Sequence, residues 1–252
     1  MSKAVKITVI SLVAAVVLGI SAFIYVICFA GADEILNVNN SPALLAPTPD
    51  YGQHYINSTV FLGDFTVYGM YGEGVFEDTS ISPQVWSGAD GRLSLDYNTY
   101  KATVKIPSTD EEMTLEDALM TYSPQYVTVT LGRENALEYC DKEAFVSYYT
   151  KLVQTIKESS PQTGIILQSI LPVTGKYQRK NPQCTNKKID ICNTWICEIA
   201  ESENVKFLNT SSVLKDSSGN LMQEYASSDG SHLNCDGYLK MFEYMRTHGY
   251  TE

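Results

Sequence analysis

Short apolar runs alternate with longer helical patterns over residues 58–248 of the chain. Strands are predicted at Thr59–Gly63, Tyr126–Leu131, Gly164–Ser169 and Val205–Leu208, and helices at Asp141–Ser159, Asn186–Glu201 and Cys235–Thr247. Strands that alternate with helices need crossover connections, which give a parallel sheet. The pattern therefore predicts an α/β fold, a three-layer α/β/α sandwich with ligands at the carboxyl ends of the strands.

The long helix at 141–159 carries the clearest local signals. One apolar face is formed at spacings of three and four residues by Phe145, Tyr148, Leu152 and Ile156. Asp141 can cap the first turn, and Pro161 prevents extension of the helix. A small hairpin is predicted between Ala102 and Thr114, and Thr114 begins a further short helix.

The amino-terminal residues 1–32 have the pattern of a membrane anchor. Lys3 and Lys6 precede an uncharged run from Ile7 to Ala32, which is longer than the roughly 20 residues that cross a bilayer. The positive-inside rule places everything after this run outside the cell. The prediction is a single-pass cell-membrane protein with an extracellular carboxyl-terminal domain, or a secreted one if the run is a cleaved signal peptide.

Residues 33–57 are polar and rich in proline, which predicts an extracellular linker before the domain at 58–252. The chain has 18 basic and 29 acidic residues, a formal net charge of −11. Such a surface has no counterion-release drive toward phosphate backbones, so nucleic acid is not expected as a partner. The membrane is the partner that the amino-terminal run implies.

Five cysteines follow the predicted anchor: Cys140, Cys184, Cys192, Cys197 and Cys235. In an oxidising compartment an odd number leaves one thiol unpaired or joined to a partner chain, so an intermolecular disulfide is one expectation. The intramolecular pairing stays open. The cysteine spacing and the three histidines do not suggest a metal site, and no cofactor is expected.

Two motifs lie at the ends of the predicted domain. Residues 60–71 read VFLGDFTVYGMY, an apolar strand that runs into a turn and a helix. Residues 229–232 read Asp-Gly-Ser-His, just before the last predicted helix. Together they resemble the first and last motifs of the SGNH or GDSL hydrolases, which have a flavodoxin-like three-layer fold. The resemblance implies a serine at position 65, where this chain has Phe65.

The resemblance implies a role for each member of the last motif. Asp229 would orient His232, and His232 would take the proton from the nucleophile. A carboxylate on one ring nitrogen fixes the tautomer of an imidazole, so that the other nitrogen can act as a base. Phe65 offers only carbon, so the usual acyl-enzyme route is expected to be lost.

The middle motifs are less faithful to the family. An oxyanion-binding amide is expected shortly after Gly132, where either Glu134 or Asn135 stands, depending on the length of the loop. The second oxyanion donor would be the amide of Gly88 or Gly91, and the sequence leaves that choice open. With Asp64 of the first motif, these residues form the candidate oxyanion and ligand-binding set.

The resemblance implies acylated cell-surface carbohydrate, or a similar ester, as ligand. The first hypothesis is a catalytically impaired, membrane-anchored binding protein; the alternative is an active acetylesterase or deacetylase that uses His232 and Asp229 with water or a displaced hydroxyl. The hydroxyls available near predicted loop ends are those of Thr66, Ser87, Ser169 and Ser231. Four aromatic residues are candidates for stacking on sugar rings: Tyr68, Tyr71, Phe76 and Trp86.

Overall fold

A five-stranded parallel sheet organises the domain. The structure is a computed structural model, and it describes residues 38–76, 84–106, 109–134 and 136–251. The strands of the sheet are β1 Thr59–Gly63, β2 Val85–Trp86, β5 Tyr126–Thr130, β6 Gly164–Gln168 and β7 Lys206–Leu208. They lie in the order β2-β1-β5-β6-β7, all parallel. Among the strands of this sheet that is the order 2-1-3-4-5 of flavodoxin-like folds.

Two further strands, β3 Thr103–Ile106 and β4 Glu111–Thr114, form a separate antiparallel hairpin. The helices are α1 Gly52–Asn57, α2 Phe65–Gly72, α3 Leu115–Tyr122, α4 Ala136–Tyr139, α5 Lys142–Ser159, α6 Gly175–Lys180, α7 Asn186–Ser202, α8 Ser211–Leu214 and α9 Cys235–Arg246. The hairpin is the predicted one, and the Thr114 side chain accepts a hydrogen bond from the Asp117 amide at the start of α3. The hairpin precedes the helix as the sequence indicates.

Alternating strand residues enter two separate cores, one on each face of the sheet. Val127 and Val129 of β5 pack with α3, α5 and α7, whereas Ile166 of β6 and Phe61 of β1 pack with α2 and α9. A parallel sheet covered by helices on both faces buries its strands on both sides. The three-layer α/β architecture predicted from the sequence is therefore confirmed.

The predicted strands of the sheet and the three long helices are found with ends shifted by at most one residue. Asp141 caps α5 by accepting a hydrogen bond from the Ala144 amide. The predicted apolar face of this helix differs at one position: Tyr149 is fully buried, whereas Tyr148 is only partly buried. Tyr148 packs against the edge of the core and also makes an edge-on contact with Tyr97, which lies in a loop far away in the sequence.

The predicted linker does not stand apart from the domain over its described part. Backbone hydrogen bonds join Leu45 and Ala43 to Phe207 of β7, so this segment extends the edge of the sheet. Tyr55 and Ile56 of α1 are buried in the core beside α9. Residues 38–57 thus belong to the domain, because four apolar side chains of this mostly polar segment are buried: Ala43, Leu45, Tyr55 and Ile56.

The predicted anchor at 7–32 lies outside the described residues. None of the helices that the structure describes is long and apolar enough to span a bilayer. The five cysteines lie in the described part and are free thiols there; Cys235 is exposed, and Cys192 and Cys197 are buried.

Candidate active site

The first motif forms a tight strand-to-helix turn at the carboxyl end of β1. A Cβ on Gly63 would lie 2.3 Å from the Thr130 carbonyl oxygen of β5, so glycine is needed for the close approach of the strands. Asp64 is buried and caps α2, accepting a hydrogen bond from the Thr66 amide at 3.0 Å. The turn therefore presents residue 65 at the first position of a helix that begins at the sheet edge.

The last motif forms a second turn that reaches the same edge. Oδ2 of Asp229 lies 2.5 Å from Nδ1 of His232, and the other carboxylate oxygen accepts the backbone amides of Ser231 and His232. Asn234 caps α9 immediately afterwards by accepting a hydrogen bond from the Gly237 amide. The helix start thus fixes the turn, and the turn fixes the orientation of the imidazole.

The two turns meet at residue 65. The ring centroids of Phe65 and His232 are 4.9 Å apart, with the planes inclined by 52°. This is the distance at which aromatic rings pack in tilted pairs. Carbon atoms therefore contact the imidazole at the place where the resemblance requires a nucleophilic oxygen.

The hydrogen bonds around Asp229 keep its carboxylate charged. Partial burial by itself would raise the pKa of Asp229, but hydrogen bonds from the His232 ring and from the amides of Ser231 and His232 outweigh burial. The pKa of Asp229 is consequently held well below its usual range. A charged carboxylate on Nδ1 selects the tautomer in which Nε2 carries the lone pair.

A pocket of about 200 Å³ lies on one side of His232. It is lined by Arg133, Glu134, Leu137, Glu138, Tyr177, Gln183, Cys184, Ser231 and His232. Arg133 donates a hydrogen bond from Nη1 to the Ser231 carbonyl and so ties the loop after β5 to the turn that carries the imidazole. The pocket is polar, with a guanidinium, carboxyl groups and an imidazole around one small volume.

Glu134 is one of the two residues predicted at the oxyanion position after Gly132, the other being Asn135. Burial raises the pKa of its carboxyl, and the nearby Asp64 carboxylate raises it further. Arg133, Arg92 and His232 act in the opposite direction. Glu134 therefore lies within electrostatic range of the imidazole and of Asp64, whereas Asn135 lies outside the described residues.

Gly88 and Gly91, the two predicted oxyanion donors, lie in one turn after β2. The Gly91 amide donates to the Gly88 carbonyl at 2.8 Å, so it is engaged within the turn. Gly91 has φ +78°, and a Cβ there would lie 2.8 Å from the Tyr68 ring. Gly91 thus shapes the turn and rests on Tyr68.

The residues predicted as alternative sources of a hydroxyl make other contacts in the fold. Ser231 Oγ lies 3.1 Å from His232, but on Nδ1, the nitrogen that contacts Asp229. Ser169 Oγ accepts the Ser211 amide, and Ser87 Oγ donates to the Gly88 carbonyl. Thr66 is buried, and its carbonyl accepts a hydrogen bond from Tyr238. Within the described part of the chain, each of these residues is used in structural contacts.

Two of the four expected stacking residues are excluded by burial. Trp86 is 0% exposed and Phe76 is 6% exposed, so both belong to the cores. Tyr68 and Tyr71 are half-buried and remain accessible. No group of three or more potential metal ligands is present among the residues that the structure describes.

Sequence reasoning missed several residues of the pocket. Arg133 directly follows Gly132, and no motif in the sequence predicts its contact with the turn at residue 231. Tyr177, Gln183 and Cys184 lie in the long connection between β6 and α7, which has no motif. Only the crossing of this connection over the sheet edge brings them near His232.

The family model of the GDSL-like lipase/acylhydrolase family matches residues 61–240, well over half of the chain. The chain belongs to this family. The match begins within β1 and ends within α9, so it includes both turns that meet at Phe65. Family membership rests on this match.

Similar proteins agree on the fold. A structure named as a platelet activating factor from Streptococcus pneumonia has a TM-score of 0.53 at 20% identity, over 76% of this chain and 87% of that chain. A GDSL-like lipase from Bacteroides thetaiotaomicron has a TM-score of 0.50 at 17% identity, over 73% and 83%. At these identities the likeness concerns the fold alone.

One curated protein is similar to this chain in sequence over part of its length. An N-acylneuraminate cytidylyltransferase of Escherichia coli O18:K1:H7 is 31% identical over 128 residues. The aligned region covers 50% of this chain but only 29% of that protein. The chain therefore spans less than a third of the length of this relative.

Proposed function

We propose that this chain is a membrane-anchored, extracellular member of the family that has lost the hydrolase step and binds acylated cell-surface carbohydrate. The observation that carries the proposal is the Phe65 ring, 4.9 Å from the His232 imidazole. Covalent catalysis needs an oxygen or sulfur lone pair beside the base. With carbon in that place, the retained pocket serves binding instead of acyl transfer.

The chemistry of the pocket supports a ligand rich in hydroxyl groups. Arg133 uses one donor on the Ser231 carbonyl and has further N–H groups, and Glu134 offers acceptors beside it. A few convergent polar groups in a concave site fix the orientation of a small ligand. The name of the E. coli relative refers to an N-acylated sugar acid, which agrees with an acylated carbohydrate as ligand class.

The intact contact between Asp229 and His232 favours a second candidate, an ester hydrolase in which the imidazole activates water. Sites that lack one triad member retain about a thousandfold catalysis over water. Against it stand the Phe65 ring, which lies against the imidazole, and the half-buried Glu134 carboxyl. A negative charge near the oxyanion position opposes the developing charge of the transition state.

The two candidates differ in turnover. The full-length chain in detergent would be mixed with an activated acetyl ester, and also titrated with acetylated glucose by isothermal titration calorimetry. We expect saturable binding without hydrolysis above the rate of the His232→Ala variant. Hydrolysis by the parent chain that His232→Ala abolishes would establish the second candidate, and absence of both binding and turnover would remove the two together.

Location and partner are part of the proposal. Residues 1–32 would anchor the chain in the cell membrane with the domain outside, and protease treatment of intact cells should remove the domain. A secreted form without residues 1–32 would show that the segment is a cleaved signal. Cys235 is the exposed thiol that would form an intermolecular disulfide, and non-reducing electrophoresis that shows only monomer would exclude it.

A further inference from the structure

Helix α2 lacks the polar outer face of an ordinary surface helix. Residues 65–72 contain no charged side chain. Its inner residues Thr66, Val67 and Met70 are buried. Its outer face consists of three half-buried aromatic side chains, here named the aromatic row: Phe65, Tyr68 and Tyr71. A helix that is apolar on all sides is normally enclosed by the protein, so accessible rings on this face need an explanation.

The aromatic row is continuous with the pocket. Its members are three residues apart, which places them on one side of the helix. Ring centroids are 5.9 Å apart between Phe65 and Tyr68 and 6.4 Å apart between Tyr68 and Tyr71. Phe65 in turn contacts His232 of the pocket. An aromatic surface therefore leads from the imidazole along the helix.

The glycine turn fixes the middle ring. The backbone of Gly91 rests on Tyr68 so closely that a Cβ would lie 2.8 Å from the ring. The positive φ of Gly91 makes a larger residue unfavourable there for a second reason. Tyr68 is thus held in place before any ligand arrives, and a preorganised side chain loses little entropy on binding.

The two tyrosines of the row are accessible in part. Tyr68 and Tyr71 are half-buried, so each side chain keeps a surface that a ligand can reach. A tyrosine presents an apolar face and one polar end. A sugar ring matches this surface, because one face of the ring carries C–H groups and its rim carries hydroxyl groups.

We propose that the aromatic row is a stacking subsite for the successive sugar rings of an oligosaccharide whose acylated unit lies in the His232 pocket. The inference rests on the proposed function and adds the form of the ligand, a chain of rings rather than a single sugar. A phenylalanine in place of the nucleophile then contributes to binding, since Phe65 joins the pocket to the row.

The test uses the full-length chain in detergent and acetylated glucose with its β-linked oligomers of increasing length. Isothermal titration calorimetry should give an affinity that rises roughly three- to tenfold per stacked ring and then levels off. Tyr71→Leu keeps an apolar side chain but removes the flat face, and should remove the last step of the rise, because Phe65 and Tyr68 remain. Tyr71→Phe should retain most of it.

The matched control is Tyr97→Ala, because Tyr97 is an exposed tyrosine whose ring contacts Tyr148 and Lys151 outside the row. This variant should follow the parent at every ligand length. Circular dichroism would show whether each variant is folded. The dependence of affinity on ligand length in the parent tests the proposal even if a variant does not fold.

The outcomes separate the two levels of the proposal. Binding of the acetylated monosaccharide without any gain for longer oligomers would overturn the aromatic row and leave the proposed function standing. Equal length dependence in Tyr71→Leu and the parent would also overturn it. Failure of the monosaccharide itself to bind would contradict the proposed function and the subsite with it.

Discussion

Replacement of Phe65 by serine tests whether the rest of the site still supports acyl transfer. The introduced hydroxyl would be at the first position of α2, beside an imidazole whose Nδ1 is held 2.5 Å from Asp229. Phe65 is half-buried, so loss of its ring should cost about 1 to 2 kcal/mol of unfolding free energy. This is small against the roughly 5 to 15 kcal/mol of a typical domain, and the variant should fold.

The size of the expected gain follows from the groups around the site. Removal of the nucleophile from a triad costs roughly a millionfold in kcat. The Glu134 carboxyl stands within electrostatic range of His232, and a lost oxyanion donor costs roughly a hundred- to a thousandfold. Phe65→Ser should therefore hydrolyse an activated acetyl ester about a thousandfold faster than the parent, a difference of about 4 kcal/mol.

Two assays and two controls make this prediction decisive. Ester hydrolysis would be followed by release of p-nitrophenol, and a serine-directed fluorophosphonate would be detected by intact mass. Phe65→Ala opens the same space without a hydroxyl, and Phe65→Ser with His232→Ala lacks the base; neither should be labelled, and neither should approach the rate of Phe65→Ser. A Phe65→Ser variant that remains unlabelled and no faster than Phe65→Ala would refute the inferred geometry of the nucleophile position.

Three further predictions concern stability and thiol chemistry. Because the folded chain lowers the pKa of Asp229, its carboxylate stabilises the fold above the unfolded pKa of about 3.9, and this contribution disappears as the pH falls toward the folded value. The midpoint temperature of thermal unfolding should thus fall less for Asp229→Asn than for the parent between about pH 4 and pH 2. An equal fall in both proteins would contradict the lowered pKa of Asp229. Gly63→Ala places a methyl group against a β5 carbonyl and should lower unfolding free energy by about 3 kcal/mol or more, whereas Gly72→Ala, with open space, should change it by less than about 1 kcal/mol. Iodoacetamide should alkylate the exposed Cys235 before the buried Cys192, because burial raises the pKa of Cys192 to about 12. Peptide mass analysis that gives the reverse order would contradict the burial of Cys192.

Much of the fold was predictable because its signals are local. Strand β1 was predicted with the bounds that the structure has, and the caps at Asp141 and Thr114 were predicted from single residues. Apolar periodicity, a capping side chain and a following proline act within one turn or one strand. The resemblance at residues 60–71 and 229–232 likewise depends on short segments, and it led to the family that the chain belongs to.

The sequence by itself therefore determined the parallel α/β architecture, the family and the absence of a hydroxyl at residue 65. Tertiary structure decided which side chains share a site: Arg133 reaches the turn at Ser231 across 98 residues, and the connection after β6 supplies Cys184 to the same pocket. It also placed residues 38–57, part of the expected linker, within the domain. Contacts of this kind depend on where crossover connections and loops meet at the edge of the sheet. The spacing of residues along the sequence does not give the distance between two such loops in the folded chain.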